Sequence, residues 1–301
     1  LGLRIAVIRP AGREKSDLLE SKLEQMRHRG HRVEVLNHPA EPNWSYHSGS
    51  IEDRFRTFWA GLSDPNIDIL WSSRGGYGAS DLLGRLDWSK LREMSPKTLV
   101  GFSDICVLHA AFLKMLGWKG LHAPMPGTDL WGDLSQDDIC QTFDFLEGRT
   151  TKIEHRLLHA SAKEIRGTLF GGCLTVLTGL IGTRYFPSTL AGHILFFEDI
   201  GENPGRILRN LRQWEQSGAL HQVHAMILGK FRDCQLDSPE LRQNLADRIQ
   251  SNFGIQVMLS DGFGHVQPNY PLGVGYEAVI HNDRLLWGNL SDESKGRLQQ
   301  S

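Results

Sequence analysis

The sequence has little of what would mark a metal protein, a secreted protein, a membrane protein or a nucleic-acid binder. Its 301 residues contain four cysteines, Cys106, Cys140, Cys173 and Cys234, scattered with no C-x-x-C pair, so a zinc knuckle, a redox dithiol and a disulfide framework are all disfavoured. A reduced, cytoplasmic chain is the expectation. No apolar run approaches the roughly 20 residues of a bilayer span, so no membrane partner is expected. The chain opens "LGLRIAVIRPAG", straight into a strand, with no charged-then-apolar leader; it does not begin with methionine, so a trimmed leader stays open. Charge of one sign is also lacking. Lysine plus arginine total 33 against 35 aspartate plus glutamate, which speaks against a nucleic-acid groove and points to a small partner. No repeat or low-complexity tract interrupts a composition of 40% hydrophobic and 23% charged residues, which is ordinary for a globular chain with a sizeable core.

What is present begins as an alternation. "RIAVIRPAG" reads as a buried strand, and "KSDLLESKLEQMRHRGH" carries leucines and a methionine at helical spacing, closed by Gly30. "RVEVLNH" is the next strand and "IEDRFRTFWAGLSDPN" a helix stopped at Asp64-Pro65. "IDILWSSRGGYGASDLLGRL" gives strand, glycine-rich turn and helix, and "TLVGFSDICVLHAAFLKML" repeats strand then helix. Such an order predicts an α/β fold with a mainly parallel sheet flanked by helices, whose ligands gather at the carboxyl ends of the strands. The expected N-terminal domain covers 1–147. A polar stretch, 148–166, reads as a connector, and a smaller, β-rich α+β domain is expected over 167–301. There, short apolar runs such as "HILFFEDIG", "HAMILGKF" and "IQVMLSDGFGH" are broken by glycine around one helix, "PGRILRNLRQWEQSG".

Ser103 stands at a strand-to-helix corner and admits two readings. Serine is a good helix N-cap, and Asp104 beside it suits the positive end of the helix dipole. The same position suits a nucleophile elbow, in which a tight turn lifts the hydroxyl above the sheet and the following backbone N–H helps hold an oxyanion. The G-x-S-x-G pattern is half met, with Gly101 two residues before Ser103 and no glycine two after it. The Arg74-Gly75-Gly76-Tyr77-Gly78 turn falls at a strand end of the same kind. It matches neither phosphate-binding glycine motif, which makes nucleotide binding a minor alternative, and it suits donation of backbone N–H groups to a developing anion. Glu198 and Asp199 follow four apolar residues, where a carboxylate is costly unless paired. His265 lies in the glycine- and proline-rich loop "DGFGHVQPNYPLG". His221 and His224 have no metal-like context beyond their spacing and read as structural or exposed. A serine on an elbow, a carboxylate at a strand end and a histidine in a loop are the parts of a nucleophilic triad.

The segments "IAVIRPAG", "SSRGGYGASDLL", "LVGFSDICVL", "GLHAPM", "GTLFGGCLTVLTGLIGT", "LFFEDIGENPGRILRNL" and "DGFGHVQPNYPLGVG", in this order and across nearly the whole chain, resemble the LD-carboxypeptidase family of serine peptidases, which also contains the microcin C immunity peptidases. The resemblance implies a triad of Ser103, Glu198 and His265, with Glu198 rather than Asp199 as the orienting carboxylate, and an oxyanion hole from the backbone N–H groups of Gly76 and Asp104. It implies hydrolysis, during cell-wall recycling, of the bond between the L-centre of a diamino acid and a terminal D-alanine in murein tetrapeptides, with no metal or organic cofactor, by a homodimer acting on a small peptide or muropeptide. An immunity-type peptidase cleaving peptidyl- or aminoacyl-adenylates and a non-catalytic muropeptide-binding module are the alternatives. Cys173 stands where the family usually has asparagine, Ala123 where it has glycine and Gly205 where it has tyrosine; these departures bear on the shape of the pocket.

Overall fold

The computed structural model describes residues 2–14, 19–37, 46–131 and 137–290. The end of the C-terminal region, 291–301, and the start of the first expected helix, 15–18, lie outside the described residues. The first sheet holds five parallel strands, β1 (Arg4–Ile8), β2 (Arg32–Val35), β3 (Ile69–Ser72), β4 (Thr98–Gly101) and β5 (Gly120–His122), in the spatial order β5-β4-β3-β1-β2. Between and after them run α1 (Leu19–His28), α2 (Ile51–Ser63), α3 (Ser80–Leu83), α4 (Trp88–Arg92), α5 (Cys106–Leu116) and α6 (Asp137–Leu146). All four residues of β3 are buried. That is the pattern of a parallel strand covered on both faces, which needs no polar alternation.

The second sheet has the order β11-β6-β7-β8-β9, formed by β6 (Lys152–Cys173), β7 (His193–Ile200), β8 (Ala225–Arg232), β9 (Val257–Gly264) and β11 (Glu277–Gly288). Strands β6 to β9 are parallel and β11 is antiparallel at the edge. Three helices lie along this half, α7 (Leu174–Thr178), α8 (Pro204–Gln216) and α9 (Pro239–Phe253), so the second half repeats the strand-helix logic of the first. Only α8 was expected from its periodicity. Helix α9 carries plain end signals, with Ser238 Oγ accepting from the Leu241 N–H at 3.1 Å, proline in its first turn and Gly254 closing it.

The stretch expected as a connector, 148–166, has regular structure over most of its length. From Lys152 onward it is the first part of the long strand β6, paired with β11. Its side chains alternate between outside and inside over Lys152–Leu158, with Ile153, His155 and Leu157 buried. A buried histidine at one inward position disguises this period-two pattern as polar linker.

The two sheets share one hydrophobic core, and α5 packs against α7 and β6. They are also stitched by backbone. After β9 the chain crosses to the first sheet, where β10 (Leu272–Val274) pairs antiparallel with β5, Leu272 opposite His122. The loop before it is anchored by the Asn269 N–H on Asp138 Oδ2 at 2.9 Å and by the Gly264 N–H on Asn269 Oδ1 at 3.1 Å.

One buried cation ties the glycine turn to this frame. Arg54 on α2 is 1% exposed and donates to the carbonyls of Gly49, Pro10 and Gly78 at 3.1, 2.8 and 2.7 Å, and to Asp81 Oδ2 at 2.9 Å. Replacing it with methionine keeps the stem and strands these acceptors in the interior. Arg54→Met is expected to lose about 3–5 kcal/mol of stability, read by denaturant unfolding; a loss below 1 kcal/mol would show that the network is dispensable.

Candidate active site

Ser103 follows β4 one residue on, after Phe102, and has φ of +62°, a left-handed conformation that costs a non-glycine residue about 1–2 kcal/mol. It opens a short turn of 3₁₀ helix over Ser103–Ile105 that runs into α5. The hydroxyl caps no helix N–H. It lies 3.0 Å from His265 Nε2 instead, so the strained corner serves the projection of Oγ toward another element. Glycine is required beside it: a Cβ at Gly75 would stand 2.9 Å from the Ser103 Cβ. Gly76 follows with φ of +108°, where an L side chain is strained. The turn is held by the Gly12 N–H donating to the Gly75 carbonyl at 2.9 Å. The backbone N–H groups of Gly76 and Asp104 are not among those that tie it down.

His265 comes immediately after β9 and Glu198 from the end of β7. His265 Nδ1 donates to Glu198 Oε2 at 2.6 Å, and its ring packs edge-on against Phe102 with centroids 4.9 Å apart. The register between β7 and β8 shifts beyond Phe197, and that between β8 and β9 shifts beyond Leu228. Such irregularities at strand ends re-aim side chains. The two neighbouring carboxylates lie within β7 and are separated by the alternation of side chains along that strand. Asp199 Oδ2 accepts from the Thr175 N–H at 2.9 Å and hydroxyl at 2.8 Å, and Oδ1 from the Ile200 N–H at 2.9 Å and the Cys173 thiol at 3.3 Å. Ser103, His265 and Glu198 thus form one hydrogen-bonded run, and Asp199 belongs to a different cluster.

The electrostatics follow from burial against pairing. Glu198 is fully buried, which alone would push its carboxyl up, but the charge and hydrogen bond of His265 and the proximity of the His122 ring hold it well below the usual carboxylate range. Burial would likewise lower His265, and the Glu198 carboxylate outweighs it, leaving the imidazole above its ordinary value. Asp199 is raised by burial and by the proximity of Glu198, against the donors from Thr175 and Ile200.

The run ends in a cleft of about 370 Å³. Its walls include the Arg74–Tyr77 turn, Thr128–Leu130, Thr175, Asp199, Glu202 and Arg232, so side chains of both charge signs line it. Cys173 lines it too, its thiol raised well above the usual range by burial and by Glu198 and Asp199. His221 and His224 are exposed, and His224 bonds the Arg166 carbonyl through Nδ1 at 2.6 Å. Among the described residues, no group of three or more His, Cys, Asp or Glu is placed to hold a metal ion, and no helix is long and apolar enough to cross a membrane.

Residues 5–123 match the LD-carboxypeptidase N-terminal domain and residues 166–280 the LD-carboxypeptidase C-terminal domain. The chain is 32% identical over 299 residues to the murein tetrapeptide carboxypeptidase of Pseudomonas aeruginosa, covering 94% of this chain and 95% of that one. It belongs to the LD-carboxypeptidase family. As a member of a carboxypeptidase family it is a hydrolase. Among solved structures, the muramoyltetrapeptide carboxypeptidase from Oxalobacter formigenes superposes with a TM-score of 0.82 at 28% identity, over 95% of this chain and 99% of that one. The microcin C7 self immunity protein MccF shares the fold at a TM-score of 0.81 and 20% identity, over 96% of each chain.

Two residues around this cluster escaped the sequence reading as functional candidates. His122 lies against Glu198, and its only signal was its place in "GLHAPM" at a strand end. Thr175 holds Asp199 and is itself held by Asn210 Nδ2 at 2.9 Å; nothing local in the sequence distinguishes it.

Asp104 generates a stability prediction. Its carboxyl is raised to about 6, first by burial, although the Ala79 N–H donates to it at 2.9 Å. The folded state therefore binds a proton that the unfolded chain has already released between the ordinary value of 3.8 and about 6. Stability from this group is greatest below that window and falls as pH rises through it. Asp104→Asn is expected to unfold with a free energy on the order of 2–3 kcal/mol above wild type at pH 7.5, with the gap closing at pH 4. An equal gap at both pH values in denaturant titrations would refute the assignment.

Proposed function

We propose that the chain is a serine LD-carboxypeptidase whose nucleophile is Ser103, whose general base is His265 and whose orienting carboxylate is Glu198. The observation that carries this reading is the unbroken run from Glu198 Oε2 to His265 Nδ1 (2.6 Å) and from His265 Nε2 to Ser103 Oγ (3.0 Å), ending at the cleft. In the acylation step the Ser103 proton passes to His265 Nε2 as Oγ bonds the scissile carbonyl carbon. Charge moves onto the carbonyl oxygen, where the N–H groups of Gly76 and Asp104 are the proposed donors. Collapse breaks the C–N bond, and His265 gives its proton to the leaving amine. Water, deprotonated by the same imidazole, then releases the acyl group and restores the serine. Glu198 keeps Nδ1 protonated and stabilises the imidazolium, which accords with the lowered carboxyl and the raised imidazole.

The substrate proposed is a murein tetrapeptide losing its terminal D-alanine. The relative named murein tetrapeptide carboxypeptidase supports this, and a cleft holding Arg74 and Arg232 as well as Glu202 and Asp129 suits a peptide end with a carboxylate and a diamino acid's free amine. A cytoplasmic homodimer remains part of the same reading. One observation favours a second one: Tyr77 is 65% exposed in the cleft wall, with Tyr46 5.0 Å away ring to ring. Such a surface suits a nucleobase, as in aminoacyl-adenylate hydrolysis. Mass spectrometry of products from a murein tetrapeptide and from an acyl-sulfamoyl adenosine separates the two; loss of alanine from the first alone is the expected result.

Ser103→Ala is expected to fold normally and to lose turnover by roughly a millionfold, the scale seen when a triad nucleophile is removed. Wild-type hydrolysis by the purified variant would end the serine-peptidase reading. Glu198→Gln is expected to cost about four orders of magnitude in kcat, whereas Asp199→Asn acts chiefly on thermal stability. A catalytic loss confined to Asp199→Asn would move the orienting role by one residue. Because the base must be neutral and its pKa is raised, the acid limb of kcat/KM is expected above the ordinary imidazole value of 6.5. A limb at or below that value in the wild-type pH profile would contradict the Glu198 pairing.

A further inference from the structure

His122 and Glu198 are both fully buried, and each presents an atom that no hydrogen bond satisfies. Glu198 spends Oε2 on His265; Oε1 accepts no hydrogen bond, and neither ring nitrogen of His122 makes one. An orphaned polar group of this kind costs about 1–3 kcal/mol. These orphans face one another, with His122 Nε2 3.6 Å from Glu198 Oε1. The gap is about 0.6 Å beyond a normal N–H···O bond, and such contacts in an unliganded site commonly shorten on the way to the transition state.

The ring has nowhere else to go. Its backbone is clamped in the first sheet between Gly101 of β4 and Leu272 of β10. Phe102 lies against the ring at 5.5 Å, and Phe196 and Phe263 meet it edge-on at 5.5 and 6.2 Å. The other titratable groups around the pair are His109 and His155, both lowered by burial first, to about 3 and about 4, and therefore neutral. Cys106 and Cys173 have thiols raised by burial, and Asp199 is held by Thr175 and Ile200. None of these supplies a hydrogen bond to Oε1.

We propose that His122 is a positioning residue for the Ser103–His265–Glu198 run: its Nε2–H faces Glu198 Oε1 and keeps that carboxylate ionised and oriented toward His265. The inference rests on the triad reading above. His122 does not line the cleft, so it acts on turnover through Glu198 and leaves substrate binding alone. Removing its donor leaves Glu198 more basic. The Glu198–His265 pair then takes up its proton at higher pH, and the base is lost earlier as pH falls.

The test compares His122→Phe, His122→Gln, Ser103→Ala and wild type on a murein tetrapeptide. His122→Phe is expected to lower kcat roughly ten- to hundredfold at unchanged KM and to move the acid limb of kcat up by about one unit. His122→Gln keeps an N–H donor and is expected to recover most of both. If Ser103→Ala is inactive while His122→Phe keeps the wild-type kcat and acid limb, only the role of His122 falls; if Ser103→Ala turns over normally, the triad and this inference fall together. Nitrogen-15 NMR of the histidine rings decides the matter on wild-type protein even where His122→Phe does not fold. The expected spectrum has His122 protonated at Nε2, with a signal that moves in Glu198→Gln. An Nδ1–H tautomer, or a signal indifferent to Glu198, overturns the proposal.

Discussion

A carboxylate with no solvent contact has to be paid for by its neighbours, and Glu198 is such a carboxylate at the seam of two sheets. Its partner His265 comes from the strand end two places along the same sheet, and the serine that His265 reaches comes from the other sheet. Burial of the charge, apposition of the sheets and alignment of the hydroxyl are therefore one physical condition. If the halves separated, water would reach Glu198 and weaken its hold on the imidazole, while the serine would lose the ring it faces.

The rest of the architecture reads as support for that condition. Parallel strands deliver their carboxyl ends to one side of each sheet, and the two sheets are packed so that the ends of β4, β7 and β9 meet. The left-handed serine, the close approach of Gly75 and the shifted registers beyond Phe197 and Leu228 are local departures from regular geometry. All sit within this meeting point, where a regular strand would carry its side chains past one another. Arg54 fixes the glycine turn from behind by spending its donors on backbone carbonyls from three separate loops.

Much of this was legible in the residues. The strand-helix alternation of the first half survives in the fold because buried parallel strands write continuous apolar runs, and the corner at Ser103 was visible as a strand end meeting a helix. The choice between cap and elbow was not, because the two differ only in where the hydroxyl points, and that depends on His265, 162 residues away. Glu198 and Asp199 were equivalent on local grounds. Strand alternation sends them to opposite sides, and which of the two meets His265 is set by contacts with distant segments, His265 for Glu198 and Thr175 for Asp199. Strand β6 was hidden by a buried histidine, and the parallel order of the second sheet by glycines that interrupt its apolar runs. Helix α9 was legible too, with the capping residues Ser238 and Gly254 at its two ends.

The antiparallel strand β10 has a consequence for how this molecule comes into being. One of the two outer strands of the first sheet, the one beyond β5, is supplied by residues 272–274, beyond both Glu198 and His265 in the chain. On a ribosome the first half can gather its five parallel strands early, but that sheet keeps an open edge at β5 until residues 272–274 have emerged. The strand that closes the edge is also the one that draws the histidine loop across to the serine. Covering of that edge and alignment of Ser103 with His265 thus coincide, and both wait on residues C-terminal to His265.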